Sequence, residues 1–311
     1  MQAAGVLAKL DYRLSSGEEA RKLDGIGDKI AKKIDEFIQT GKLDKLEKIR
    51  TDDSTIAINL LTRVAGIGPA KARSLVDTGI STIEQLREPS NQVLLTKAQQ
   101  IGLQHFEDFE KRIPREEIEK IENIIQNQLK VLDASNKNYN QKKFIASICG
   151  SYRRGLPTSG DIDVLLTHED YTSKKLKHAQ DTRSESDILQ IVVESLTKDA
   201  HLITDTLSQG DTKFMGVCKL PEDASAPYRR LDIRLLPFDQ YSCGILYFTG
   251  SDQFNKAMRA HALEQGFTLN EYSLRPLDKA RQPLEELPVI CEEDIFDYIS
   301  YEWREPKDRS W

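Results

Sequence analysis

Two aspartates, Asp161 and Asp163, stand two positions apart in Ser159-Gly160-Asp161-Ile162-Asp163. Residues two apart in a strand point to the same side. This spacing therefore aims two carboxylates at one point, while Ile162, Val164 and Leu165 bury the opposite face. Neighbouring carboxylates on a fixed strand repel unless a cation lies between them, and ligand sets made only of oxygen favour Mg2+. Asp232, in Leu231-Asp-Ile-Arg-Leu-Leu236, is a third carboxylate in a strand otherwise apolar at its buried positions. A lone Asp-x-Asp reads most simply as a surface pair at a strand end. Here Gly150-Ser151 upstream, Gly160 directly before the pair and the later strand aspartate all favour a cation site.

A second kind of chemistry lies in a repeat. Leu23-Asp-Gly-Ile-Gly27 recurs as Val64-Ala-Gly-Ile-Gly68, 41 positions later. Each copy precedes a segment of helical period: Ile30, Ile34, Phe37 and Ile38 after the first, Ala72, Leu75 and Val76 after the second, where Pro69 suits a first helical position. Each helix is expected to end at a Thr-Gly pair, Thr40-Gly41 and Thr78-Gly79. The pattern is a helix-hairpin-helix. Its glycines let backbone approach a ligand closely, and the helix N-terminus offers N–H groups and a partial positive charge to a DNA phosphate.

The elements that must position these groups follow from periodicity. Residues 111–132 carry Ile118, Ile121, Ile125 and Leu129 at the spacing of a long amphipathic helix. A polar loop is expected over 133–143, strands over 144–149, 162–167 and 231–236, connections over 169–187 and 221–227, and a helix over 252–263. On that helix Asp252, Asn255, Lys256 and Arg259 form one polar stripe at i, i+3, i+4 and i+7, opposite Phe254, Met258 and Leu263. Helices come first and a mixed region second, so the fold class is α+β.

Composition narrows the function classes. The 311 residues are 39% hydrophobic and 30% charged, and no apolar run approaches the ~20 residues of a membrane helix. Residues 1–14 lack a basic segment followed by an apolar one, which argues against a secretory signal. Four cysteines without Cys-x-x-Cys spacing build neither a disulfide framework nor a zinc site, and fit a reduced intracellular compartment. The net charge of -6 argues against a bulk electrostatic grip on nucleic acid, but residues 1–130 are neutral and the acidity sits wholly in 131–311. A hairpin grip needs no basic surface. No Gly-x-x-x-x-Gly-Lys phosphate loop is present, so no motor ATPase is suggested.

Gly150-Ser151 followed by Asp161-x-Asp163 and a later strand aspartate resembles the nucleotidyltransferase pattern. Tyr247-Phe248-Thr249-Gly250-Ser251, the run 255–263, Asn270-Glu-Tyr272 and Arg304-Glu-Pro-Lys-Asp308 make the chain similar to the family X DNA polymerases over nearly its whole length. The resemblance implies a helical N-terminal part with two hairpins, a palm with a mixed sheet, and a small α+β fingers subdomain. The expected boundaries are 1–48 (lyase-like, first hairpin), 49–112 (DNA-binding, second hairpin), 113–238 (catalytic palm) and 239–311 (nucleotide selection).

It further implies two Mg2+ ions on Asp161, Asp163 and Asp232, with Asp232 as general base for the primer hydroxyl. Triphosphate contacts would be Arg112, Ser151, Arg154 and Gly160. Tyr247, Phe248 and Gly250 would line the sugar, and Asp252 and Asn255 would face the incoming nucleotide. DNA contacts would be Lys29, Lys45, Gly66, Gly68, Lys256 and Arg259. Arg234 would pair with Asp163 before closure. Na+ or K+ would sit on the carbonyls of Arg21, Leu23 and Ile26, and of Thr62, Val64 and Ile67. Lys33 would be the Schiff-base nucleophile of a 5′-deoxyribose-phosphate lyase. The chain looks as if it starts part way through the family's lyase domain, without the helices that would cover Ile30, Ile34 and Phe37.

The function implied is template-directed gap filling in base excision repair. The chain would act as a monomer on gapped or nicked DNA with deoxynucleoside triphosphates, beside other repair proteins, in the nucleus and also the cytoplasm or mitochondria, with no membrane. Two alternatives stay open: a template-independent or non-DNA nucleotidyltransferase, and a DNA-binding repair scaffold with an inactive or lyase-deficient catalytic domain.

Overall fold

A computed structural model describes residues 2–8, 10–135, 142–174 and 186–310. Most of the loop expected over 133–143 and most of the connection over 169–187 lie outside these residues. The chain divides into two compact units, Met1–Leu94 and Leu95–Trp311.

The first unit is helical. Gly17–Arg21 and Asp28–Thr40 form one hairpin, Asp53–Leu61 and Pro69–Asp77 the other. The two turns have the same backbone: Gly25 and Gly66 are left-handed (φ 76° and 85°), and Gly27 and Gly68 are extended N-caps. In the first hairpin the helices approach closely because Gly17 has no side chain. A Cβ there would collide with the Ala31 carbonyl and the Asp35 carboxylate, and Asp35 instead accepts a bond from the Gly17 N–H at 2.6 Å. Both Thr-Gly ends are realised, with Gly41 and Gly79 at φ 69° and 93°. The apolar face expected on Asp28–Thr40 is only partly used: Ala31 is buried, while Phe37 is 57% and Ile38 45% exposed. Leu61, Val64, Ile67, Ala72 and Leu75 bury the second hairpin's interior.

The second unit is built on a five-stranded sheet of order β2-β4-β7-β6-β5, where β2 is Phe144–Ile148, β4 Ile162–His168, β5 Ile203–Gln209, β6 Lys213–Cys218 and β7 Arg229–Leu235. Only β4 and β7 pair in parallel. β5 and β6 were not expected from sequence: Ile203–Gln209 is largely polar, with alternate residues exposed, and lacks a run of apolar positions. One face of the sheet is covered by Arg115–Ser135 and Ser186–Lys198 through Ile118, Ile121, Ile125, Leu189, Val192 and Leu196. The other face packs Leu165 and Leu236 on Ile245 of the helix Tyr241–Thr249. A short ladder joins β1 (Ile113–Pro114) to β3 (Thr158–Ser159). Residues 95–110 belong to this unit, and the Tyr228 N–H donates to Asp108 Oδ2 at 3.1 Å.

The C-terminal part has its own core, in which Phe254, Met258, Ala262, Leu274, Ile295 and Phe296 meet, and adds the hairpin of β8 (Phe267–Leu269) and β9 (Leu274–Pro276). Its helix Asp252–Glu264 is capped by Ser251, whose Oγ accepts from the Phe254 N–H at 3.2 Å. Leu263, expected on the apolar side, is 46% exposed; Ala262 takes the inner position. The whole is α+β, helical first and mixed second.

Candidate active site

Parallel pairing of β4 and β7 sets Asp163 directly opposite Asp232. Asp161 lies at the entrance to β4. Burial and the negative charges of Asp161 and Asp232 push the Asp163 carboxyl up to about 7, and burial likewise raises Asp232. Arg230 is ion-paired with two of them. Its Nη2 lies 3.2 Å from Asp232 Oδ2 and 3.6 Å from Asp161 Oδ2. Arg234, expected to pair with Asp163, lines the same small space as Asp163 and Asp232. Arg230 is two positions before Asp232 and therefore faces the same side, a signal the spacing already held.

Ten residues expected to meet the nucleotide line one cavity of about 700 Å3: Arg112, Ser151, Arg154, Gly160, Asp161, Tyr247, Phe248, Gly250, Asp252 and Asn255. Asp163, Lys256 and Arg259 line it as well. Asp232 opens instead on a smaller space of about 100 Å3, shared with Asp163 and Phe248.

Three glycines bring backbone against charged groups. A Cβ on Gly150, itself left-handed at φ 59°, would stand 3.0 Å from Asp163 Oδ2. One on Gly160 would stand 3.3 Å from Arg112 Nη1, and one on Gly250 3.3 Å from Arg154 Nη1.

The arginines are held by neutral oxygens. Arg112 donates to the Thr158 carbonyl at 2.6 Å, and Arg154 to the Thr249 carbonyl at 2.5 Å and Ser310 Oγ at 3.0 Å. Ser151 Oγ donates to Ser159 Oγ at 2.9 Å. On the far wall Asn255 donates to the Tyr247 carbonyl at 2.7 Å, Lys256 pairs with Asp252 at 2.5 Å, and the Arg259 guanidinium lies 5.0 Å over the Tyr247 ring. Behind the cavity, Glu292 accepts from Arg153 and from the fully buried Arg309, a network spanning distant positions that sequence periodicity did not reveal.

In the first unit Lys29, Lys33 and Lys45 are exposed. A Cβ on Gly27 or Gly68 would meet nothing within 4 Å, so these N-caps are open to a ligand from outside. Of the carbonyls expected to hold a monovalent cation, Leu23 accepts from the Ile26 N–H at 3.3 Å and Val64 from the Ile67 N–H at 3.0 Å. Those of Arg21, Ile26, Thr62 and Ile67 belong to the same two turns.

Among the described residues, no group of three His, Cys, Asp or Glu side chains forms a ready-made metal cage. The donor set nevertheless fits a hard divalent cation. Burial and neighbouring negative charge raise the proton affinity of Asp163 and Asp232, and Asp232 Oδ1 is buried without a hydrogen-bond partner.

A mixed sheet with carboxylates on adjacent parallel strands, beside a glycine-lined cavity flanked by arginines, defines a nucleotidyltransferase palm. Residues 112–238 match the DNA polymerase beta palm and 244–310 the DNA polymerase beta thumb, while 59–110 match the fingers domain of DNA polymerase lambda and 1–43 a helix-hairpin-helix domain. In these descriptions the C-terminal subdomain, termed fingers above, is the thumb. The chain is 34% identical to a DNA polymerase lambda of Rattus norvegicus over all of its length and 52% of that protein. It is also 34% identical to one of Arabidopsis thaliana over 99% of its length and 57% of that protein. A DNA nucleotidylexotransferase of Ambystoma mexicanum is 25% identical over 99% of the chain and 63% of the relative. The chain belongs to the family X DNA polymerases and resembles their beta and lambda members. It spans about half the length of the lambda relatives, and the family implies use of a divalent metal.

Proposed function

We propose that the chain is a template-directed DNA polymerase that fills short gaps in base excision repair. The observation that carries this reading is the convergence of Asp161, Asp163 and Asp232 beside a cavity walled by Arg112, Arg154 and the polar stripe of Asp252–Glu264. The three aspartates would hold two Mg2+ ions, which when bound supply a lowered pKa at the primer 3′-hydroxyl and charge neutralisation at the leaving pyrophosphate. Asp232 would accept the hydroxyl proton, and its partnerless buried Oδ1 supports that role. Arg112 and Arg154, the Ser151 hydroxyl and the Gly160 N–H would orient the triphosphate through charge-assisted bonds. Tyr247, Phe248 and Gly250 would shape the sugar site and exclude water from it. Asp252 and Asn255 would face the incoming nucleotide, with Lys256 and Arg259 toward the template.

DNA would be gripped through phosphates at the open N-caps of Gly27 and Gly68, with Lys29, Lys45 and Gly66 beside them and Na+ or K+ on the turn carbonyls. The same hairpin helix carries Lys33, proposed as the lyase nucleophile. On this reading the protein works in the nucleus as a monomer, on gapped or nicked DNA with deoxynucleoside triphosphates. The test is single-nucleotide insertion on a one-nucleotide gap in Mg2+, templated by each base in turn, beside Asp232→Ala. Correct-base incorporation that the variant loses is the expected result. Gap binding without incorporation by the unaltered protein would refute the reading and favour a repair scaffold.

A further inference from the structure

Arg229 opens β7 and points away from the face that carries Arg230 and Asp232 toward the cavity side. It is 4% exposed. Its Nε and Nη2 donate to both carboxylate oxygens of Glu117, at 2.7 and 2.8 Å. Its Nη1 donates to the Lys111 carbonyl at 3.0 Å and lies 3.5 Å from that of Asp108. Glu117 sits in the first turn of Arg115–Ser135. One buried side chain thus gathers residues 108–117 onto the start of the strand that bears Asp232.

Arg112 lies inside that gathered segment. On its other flank the backbone is fixed by the β1–β3 ladder, Ile113 opposite Ser159 and Pro114 opposite Thr158, and by the Arg115 N–H donating to the Pro157 carbonyl at 3.0 Å. Those contacts tie Arg112 to the turn leading to Asp161. Arg229 ties the same backbone to the strand of Asp232.

We propose that Arg229 is a positioning residue for nucleotide binding. It fixes the Lys111 carbonyl, and through it Arg112, at a set distance from the catalytic carboxylates, without itself lining the cavity. The inference rests on the reading of Arg112 as a triphosphate contact. The physical argument is preorganisation: a long exposed arginine binds an anion more tightly when its backbone is already held, because less freedom remains to be lost. Glu117 alone would need only an ion pair. The carbonyl of Lys111 needs the guanidinium's additional fork, which a lysine cannot supply to both partners at once.

The test is a double-mutant cycle on the full chain. It reads the Kd of a non-hydrolysable deoxynucleotide on one-nucleotide-gapped DNA with a dideoxy-terminated primer, with thermal melting alongside. Arg112→Ala is expected to weaken binding about tenfold, the loss of a charge-assisted bond. Arg229→Met is made together with Glu117→Leu, because removing the arginine alone would leave a buried carboxylate unpaired. That pair should weaken binding by a similar factor, and adding Arg112→Ala to it should cause no loss beyond Arg112→Ala alone. If the pair does not fold, Arg229→Lys takes its place, with a smaller shift in the same direction and the same non-additivity. Independent effects that multiply, or an unchanged Kd without Arg229, would overturn the proposal. An unchanged Kd for Arg112→Ala would instead refute the triphosphate role of Arg112, and this inference with it.

Discussion

Asp163→Asn should stabilise the metal-free protein, and by an amount that depends on pH. Burial and the charges of Asp161 and Asp232 lift the Asp163 carboxyl from 3.8 to about 7. Below about pH 4 the group is protonated in folded and unfolded chains alike, and its presence costs nothing. As pH rises from 4 to 7 the unfolded chain releases the proton while the folded one retains it. Above 7 the folded state must carry the unfavourable charge. Linkage gives a penalty of about 4 kcal/mol at pH 8 and less than about 2 kcal/mol at pH 5. Asparagine keeps the shape and removes the charge, so the variant should gain most of that difference. The assay is urea unfolding in EDTA at both pH values, followed by tryptophan fluorescence, since Trp303 packs against the core of the C-terminal part. Adding a divalent cation at pH 8 should stabilise the unaltered protein and narrow the gap, since a ligand bound only by the folded state adds stability. A gain equal at pH 5 and 8, or none at pH 8, would refute the view that burial and the neighbouring carboxylates destabilise the Asp163 charge in the folded state.

Gly66→Ala places a side chain at φ 85° and should cost about 1–2 kcal/mol in the melting of the N-terminal unit. Gly68→Ala meets no neighbour, so it should change stability by about 0.5 kcal/mol at most while weakening gapped-DNA binding in a filter or anisotropy assay. Of the four thiols only Cys291 is exposed, and burial holds those of Cys149, Cys218 and Cys243 at about 12. One thiol should therefore label rapidly in the folded protein and four on unfolding. Borohydride trapping on incised abasic DNA should yield an adduct that Lys33→Ala abolishes, and an adduct of equal yield in the variant would exclude Lys33 as the nucleophile.

The strand aspartates were legible because period two is local: Ile162 and Val164 announce which face is buried, and Asp161 and Asp163 are what remains, while Leu165, expected to share the face of Ile162 and Val164, lies on the carboxylates' side and packs on Ile245. The hairpins were legible because they occur twice. The strands β5 and β6 were not, since Ile203–Gln209 alternates weakly and is bulged against its partner. Phe37 and Ile38 mark a helical stripe that the sequence shows clearly and the fold leaves partly in solvent. Arg230 could have been found by the same two-residue rule that found Asp163. The link between Arg153 and Glu292 is 139 positions long, and no local pattern encodes a contact of that length.

The parallel pairing of β4 with β7 has a consequence for how the molecule becomes competent. A hairpin turn can dictate which residue meets which, but parallel strands have no such turn, and here Asp163 and Asp232 are brought abreast from 69 positions apart in the chain. The alignment is chosen by Leu231, Ile233 and Leu235, each 1% exposed or less. A slip of one residue would turn those three outward and drive Arg230, Asp232 and Arg234 into the interior, which the charges forbid. Side chains that never meet a nucleotide thus act as the vernier of the catalytic centre, and a chain that has folded at all along this seam has its carboxylates in line.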